Sequence, residues 1–253
     1  SMLIAGSSMA VILGMPLGRV IGLHAGWRMS FLTMAIIAAC TLTYLCFVFP
    51  KLEKTEKFTF KQLPELFRNK NLMGLFAIAA LVPTAQYAAY SYIEPFMKFV
   101  AKMPDNMVTI NLMILGCAGL LGSAIFARTY EKHVKVFLTL SIAGIAVSHL
   151  LLYPATVNEF AMIALFIFWG VCMTCFGMAS QADLMAATTV SAAPVAMSIY
   201  SGIFNFGIGS GTWVGGMICD HIDIAYIGYG AGILTILGTI FSAWLASHLH
   251  KKH

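Results

Sequence analysis

Residues 28–49 read RMSFLTMAIIAACTLTYLCFVF, and residues 50–71 read PKLEKTEKFTFKQLPELFRNKN. The first stretch is 22 residues long and carries one charge, Arg28, at its edge. About 20 apolar residues in helical form cross a hydrocarbon core of roughly 30 Å. Lipid offers the backbone no hydrogen-bond partners, so a stretch of this kind must be a helix. The second stretch is polar and basic, and it holds Pro50 and Pro64. A membrane helix running out into an aqueous linker accounts for the junction.

The rest of the chain repeats the first of these patterns. Hydrophobic residues make up 60% of the 253 and charged residues 10%, whereas a water-soluble domain carries about 25% charge. A chain so poor in charge cannot cover itself with a polar surface. Short alternating segments of the barrel type are absent from the sequence. The pattern predicts an all-α polytopic membrane protein with eight spans, near 2–23, 28–49, 72–97, 107–127, 136–153, 158–180, 194–219 and 226–247. The linker divides two spans (1–49) from six (72–253), with 50–71 between them. No cleavable signal peptide is visible, and the start at Ser1 inside an apolar run reads as a cut within a longer gene product.

Lysine and arginine accumulate in cytoplasmic loops. One set of alternate connections holds Lys51, Lys54, Lys57, Lys61, Arg68, Lys70, Arg128, Lys132, Lys135, Lys251 and Lys252, eleven in all. The opposite set holds three, Arg28, Lys98 and Lys102, and Arg19 lies within the first span. The linker and the C-terminus are therefore expected in the cytoplasm. The net charge of +5 reads as a topology signal, and no nucleic-acid partner is expected.

Cys40, Cys46, Cys117, Cys172, Cys175 and Cys219 all sit in or beside apolar runs and read as small buried side chains. Cys172-x-x-Cys175 lacks two further zinc ligands at matching depth, and the His248, His250, His253 tail is too short to make a site. No metal or cofactor is expected. Enzyme signatures are missing too. There is no His-Glu-x-x-His and no Gly-x-x-x-x-Gly-Lys-Ser/Thr loop, and Ser210 has Ile208 and Thr212 where a hydrolase elbow needs glycines.

Gly14, Gly18, Gly22 and Gly26 recur every four residues in the first span, as do Gly207, Gly211 and Gly215 in the seventh. That interval puts each set on one helix face, where backbones can approach closely. The two stripes align at an offset of 193 residues. Spans one and two thus read as a copy of spans seven and eight, which makes six spans the repeating unit, as in transporter folds.

Polar groups at membrane depth are functional candidates. Gln86, Tyr90, Glu94 and Met97 fall at spacings of four, four and three, a polar-aromatic stripe suited to lining a substrate path. Tyrosine rings can stack on a small solute and their hydroxyls can hydrogen-bond to it. Glu94 precedes Pro95, which is expected to kink the helix. The glutamate fits two roles: a proton carrier if it is buried, or an interfacial charge paired with Lys98. Arg19 fits a gating ion pair with Glu94 or simple snorkelling to the interface. Asn205, mid-span, is read as a substrate contact. Trp169 fits stacking on substrate and plain packing equally. Asn111 is read as structural, His149 as interfacial and Asp183 as a loop charge.

The run Gly14-Met15-Pro16-Leu17-Gly18-Arg19, followed by Gly26-Trp27-Arg28-Met29-Ser30-Phe31, resembles the fifth and sixth helices of major facilitator superfamily proton antiporters. Tyr90-Ser91-Tyr92-Ile93-Glu94-Pro95-Phe96 and Ser201-Gly202-Ile203-Phe204-Asn205-Phe206-Gly207-Ile208-Gly209 resemble the seventh and eleventh helices of its bacterial sugar efflux transporters, which export arabinose and isopropyl thiogalactoside. The loop Ala127-Arg128-Thr129-Tyr130-Glu131-Lys132-His133 departs from the family's Gly-x-x-x-Asp-Arg signature. The resemblance implies a twelve-helix fold of which this chain is helices five to twelve, with four more upstream. It also implies a place in the bacterial inner membrane and export of sugars or their analogues by proton antiport, along a path between two six-helix halves. A multidrug proton antiporter is the rival within the superfamily. A non-transporting membrane scaffold or sensor is the rival outside it.

Overall fold

The computed structural model describes residue 14, residues 17–48 and residues 63–249. Every regular element among them is helical. The chain divides into two compact units, Ser1–Lys57 and Phe58–His253.

In the first unit, α1 covers 17–25 and α2 covers Trp27–Val48. Gly26 joins them at φ 87°, a left-handed conformation that glycine adopts without steric cost. The Ser30 hydroxyl donates to the Gly18 carbonyl across the bend at 3.0 Å. None of the residues of α2 is buried, and its side chains are apolar all round. Such a helix suits a lipid surroundings and not water.

The second unit begins with α3 (Leu63–Arg68), a short helix inside the stretch read as linker. Asn69 then caps α4 (Lys70–Tyr90), its side-chain oxygen accepting from the amides of Asn71 and Leu72. The predicted span 72–97 is not one continuous helix. It breaks at Ser91–Tyr92, resumes as α5 (Ile93–Pro95), and widens into a π-helical turn over Phe96–Val100. Pro95 explains the position of the break. Its ring crowds the carbonyl four residues back, that of Ser91, and it has no N–H to donate. The kink therefore lies one turn before the proline.

α6 runs from Asp105 to Leu150, 46 residues with a single non-helical residue, His133 (φ −132°, ψ 28°). At 1.5 Å per residue it would be about 70 Å long if straight, more than twice a hydrocarbon core of about 30 Å. It is two spans meeting at His133, where a separate loop over 128–135 was expected. A 3₁₀ turn (Pro154–Val157) leads to α7 (Glu159–Ala186), capped by Asn158, whose side chain accepts from the Phe160 amide at 2.9 Å. α8 is Ala193–His221, and a second 3₁₀ turn (Ile224–Tyr226) precedes α9 (Ile227–Leu249). Five helical segments among the described residues are long and apolar enough to span a membrane, the double-length α6 counted as one.

α4 packs on α8 and α9, and α6 on α7 and α9. Small residues permit the first of these contacts. A Cβ on Gly207 would stand 2.8 Å from the Ala80 carbonyl oxygen, and one on Gly211 or Gly215 would collide with the carbonyls of Thr84 and Ala88. The α4 break rests on the same seam. Tyr92 lies over Gly215 and Gly216 and donates to the Thr212 carbonyl at 3.1 Å, and the Ser91 and Thr212 hydroxyls are 2.8 Å apart. In the first unit a Cβ on Gly14 or Gly18 would meet nothing within 4 Å, and one on Gly22 would meet only Ser30 Oγ at 3.4 Å. Pro16 lies outside the described residues.

Candidate functional site

The core of the second unit is apolar, so each polar side chain in it needs a partner. Gln86, on the inner face of α4, is 4% exposed. Trp169, on α7, is fully buried, and its indole N–H donates to Gln86 Oε1 at 3.0 Å. The other end of the amide donates to the Met173 sulfur at 3.3 Å. Each group meets a need of the other: an indole N–H requires an acceptor when buried, and an amide carbonyl requires a donor.

Aromatic rings continue from this pair. Tyr90, half-buried one turn beyond Gln86, meets Trp169 edge-on at 6.3 Å and Tyr87 at 5.4 Å. Trp169 also meets Phe166 at 5.9 Å and His149 at 5.2 Å. Side chains from α4, α6 and α7 thus form one cluster whose accessible edge is Tyr87, Tyr90 and Met173.

Glu94 is half-buried in α5, one turn past Tyr90. Lys98 forms an ion pair with Asp105 at 3.2 Å, both partly exposed. Met97 is fully buried within the core. Gln86, Tyr90 and Trp169 are therefore brought together, while Met97 packs in the core away from any accessible surface. Asn205 is exposed on α8, its amide donating to the Ser201 carbonyl at 2.8 Å, with Ser201, Gly202 and Gly209 exposed on the same helix. Arg19 is 8% exposed in the first unit. Cys172 packs against Gly144, while the Cys175 thiol donates to the Gly122 carbonyl at 3.4 Å, so the two thiols serve opposite neighbours.

Two residues carry more than their sequence reading gave them. His149, read as interfacial, is fully buried, with Nδ1 2.9 Å from the Thr235 hydroxyl of α9. Helical spacing from Ser141 and Ile145 points at this face, but the covering comes from α7 and α9. Asp183, read as a loop charge, accepts a 2.5 Å hydrogen bond from the Tyr130 hydroxyl, and Tyr130 stacks on Phe126 at 4.6 Å. Asn69 reaches the same end of α7, donating to the Ala187 carbonyl at 2.9 Å.

Phenols, an amide and ring faces thus lie together inside an apolar helical bundle. Residues 1–189 match the model of the Major Facilitator Superfamily. The match spans well over half of the chain, and the chain belongs to the major facilitator superfamily of secondary transporters.

Proposed function

We propose that this chain takes part in the export of sugars or sugar analogues by proton antiport, with the basic linker and the C-terminus on the cytoplasmic side of a bacterial inner membrane. The observation that carries the reading is the Gln86–Trp169–Tyr90 cluster, with Tyr87 beside it and half-buried Glu94 one turn beyond. Phenol and amide groups match a polyhydroxylated ring in both hydrogen bonding and stacking. Gln86 and Tyr90 are assigned to the solute path, Trp169 supports them, and Asn205 contributes from the exposed face of α8. Glu94 is assigned the coupling proton, and Arg19 a gating charge. Met97 belongs to the packing behind the path. A carboxylate at membrane depth is costly unless it has work to do, which favours proton exchange over a purely interfacial role.

Cells expressing the intact gene product and loaded with labelled isopropyl thiogalactoside provide the test. Export above that of empty-vector cells is expected, and Glu94→Gln is expected to abolish its coupled component. Normal coupled export by Glu94→Gln would remove Glu94 from the mechanism. Export of lipophilic cations in place of the thiogalactoside would favour a multidrug antiporter.

A further inference from the structure

His149 is fully buried near the end of α6, and its two ring nitrogens differ in surroundings. Nδ1 lies 2.9 Å from Thr235 Oγ1. Thr235 gives its own proton to the Ala231 carbonyl at 2.8 Å. A hydroxyl whose proton is engaged can only accept, so Nδ1 carries the hydrogen. Nε2 is then a bare lone pair, and it has no hydrogen-bond partner among the described residues.

A buried acceptor left unpaired is a destabilising feature, which a phenylalanine or leucine in that space would not incur. The groups packed on the ring are uncharged. α7 offers Trp169, with the Cys172 thiol further along against Gly144, and α9 offers Thr235 and Ala231. α4 reaches it only through Trp169, which touches Gln86 and Tyr90. No carboxylate or basic side chain pairs with His149 among the described residues. An imidazolium without an anion beside it is expensive in an apolar interior, so the ring is neutral in this state. Water reaching Nε2 would bring the solvation that an imidazolium needs.

We propose that His149 Nε2 is a proton-binding site of the second unit, empty when the bundle is closed around it and filled when the bundle opens to water. A proton adds to the lone pair at Nε2 while Nδ1–H keeps its bond to Thr235, and no other bond changes. The edge contact with Trp169 carries the effect to the solute side, because the same indole holds Gln86 and meets Tyr90. Occupancy that follows opening and closing is what proton-coupled transport requires. The inference rests on the antiport reading and adds a second titrating group to Glu94.

The test uses the full-length protein with nitrogen-15-labelled histidine in lipid bilayers, with His149→Gln to assign the ring. Lowering the pH from 8.5 to 5.5 is expected to convert the Nε2 resonance of ring 149 from the bare to the protonated form. Isopropyl thiogalactoside is expected to shift the midpoint. A ring that stays neutral throughout overturns the proposal. In vesicles, the ratio of thiogalactoside efflux with and without an inward proton gradient is expected to fall to about one in His149→Gln. Gradient stimulation that survives in the variant overturns the site and leaves antiport standing. Titration of ring 149 without gradient stimulation in the unmodified protein refutes antiport and leaves the proton site.

Discussion

At the scale of single residues, close approach at glycines and paired hydrogen bonds join the helices of the second unit across its apolar core. Gly211 sits where a side chain would meet the Thr84 carbonyl, while Gly209, two residues away, faces open space. Gly211→Leu is expected to lower stability in detergent by about 1–3 kcal/mol, the usual penalty for overpacking, and Gly209→Ala by under about 0.5 kcal/mol. Thermal unfolding of both variants checks this, and equal losses would show that the seam is not as tight as described. Trp169 and Gln86 are expected to be coupled. Trp169→Phe and Gln86→Leu, alone and together, should give an interaction energy of about 1 kcal/mol. The four-residue glycine spacing was legible because it depends only on helix periodicity. The burial of His149 was not, because it depends on which helices cover that face, and nothing local records that.

At the scale of elements, the spans expected near 28–49, 72–97, 107–127, 136–153, 158–180 and 226–247 fall on helices long and apolar enough to cross a membrane, whereas 2–23 lies mostly outside the described residues and 194–219 forms a helix, α8, that is not among them. Pro95 pointed to a kink, but the π-helical turn over Phe96–Val100 involves bonds to the fifth residue back, which a pattern of period 3.6 does not reveal. The expected loop at 128–135 proved to be helix interrupted at His133 alone. Lys132 and Lys135 are exposed beside that interruption. Cysteines introduced at Lys132 and Lys135 should react with a membrane-impermeant maleimide added from the cytoplasmic side, and one at fully buried Ile145 should not. Protection at 132 and 135 would contradict the division of α6 into two spans. The α4 break should depend weakly on single hydrogen bonds. Tyr92→Phe loses one bond between helices, for which about 0.6 kcal/mol is typical in a membrane bundle, and chemical denaturation would register a larger loss if Tyr92 did more than brace the kink.

At the scale of the whole molecule, composition alone placed the chain in a membrane, and the match over residues 1–189 places it in a family of secondary transporters. The side chains gathered on α4 and α7, to which the solute path is assigned under the proposal, were only partly legible. Gln86, Tyr90 and Trp169 could be singled out by type and spacing, but their mutual contacts arise from the crossing of separate helices. The central claim is that the gene product exports a sugar-like solute at the expense of a proton gradient. Its most direct test is the efflux rate of labelled isopropyl thiogalactoside from loaded vesicles, measured with an inward proton gradient and again after a protonophore has collapsed it. The account predicts faster efflux with the gradient present. Equal rates in the two conditions would contradict it.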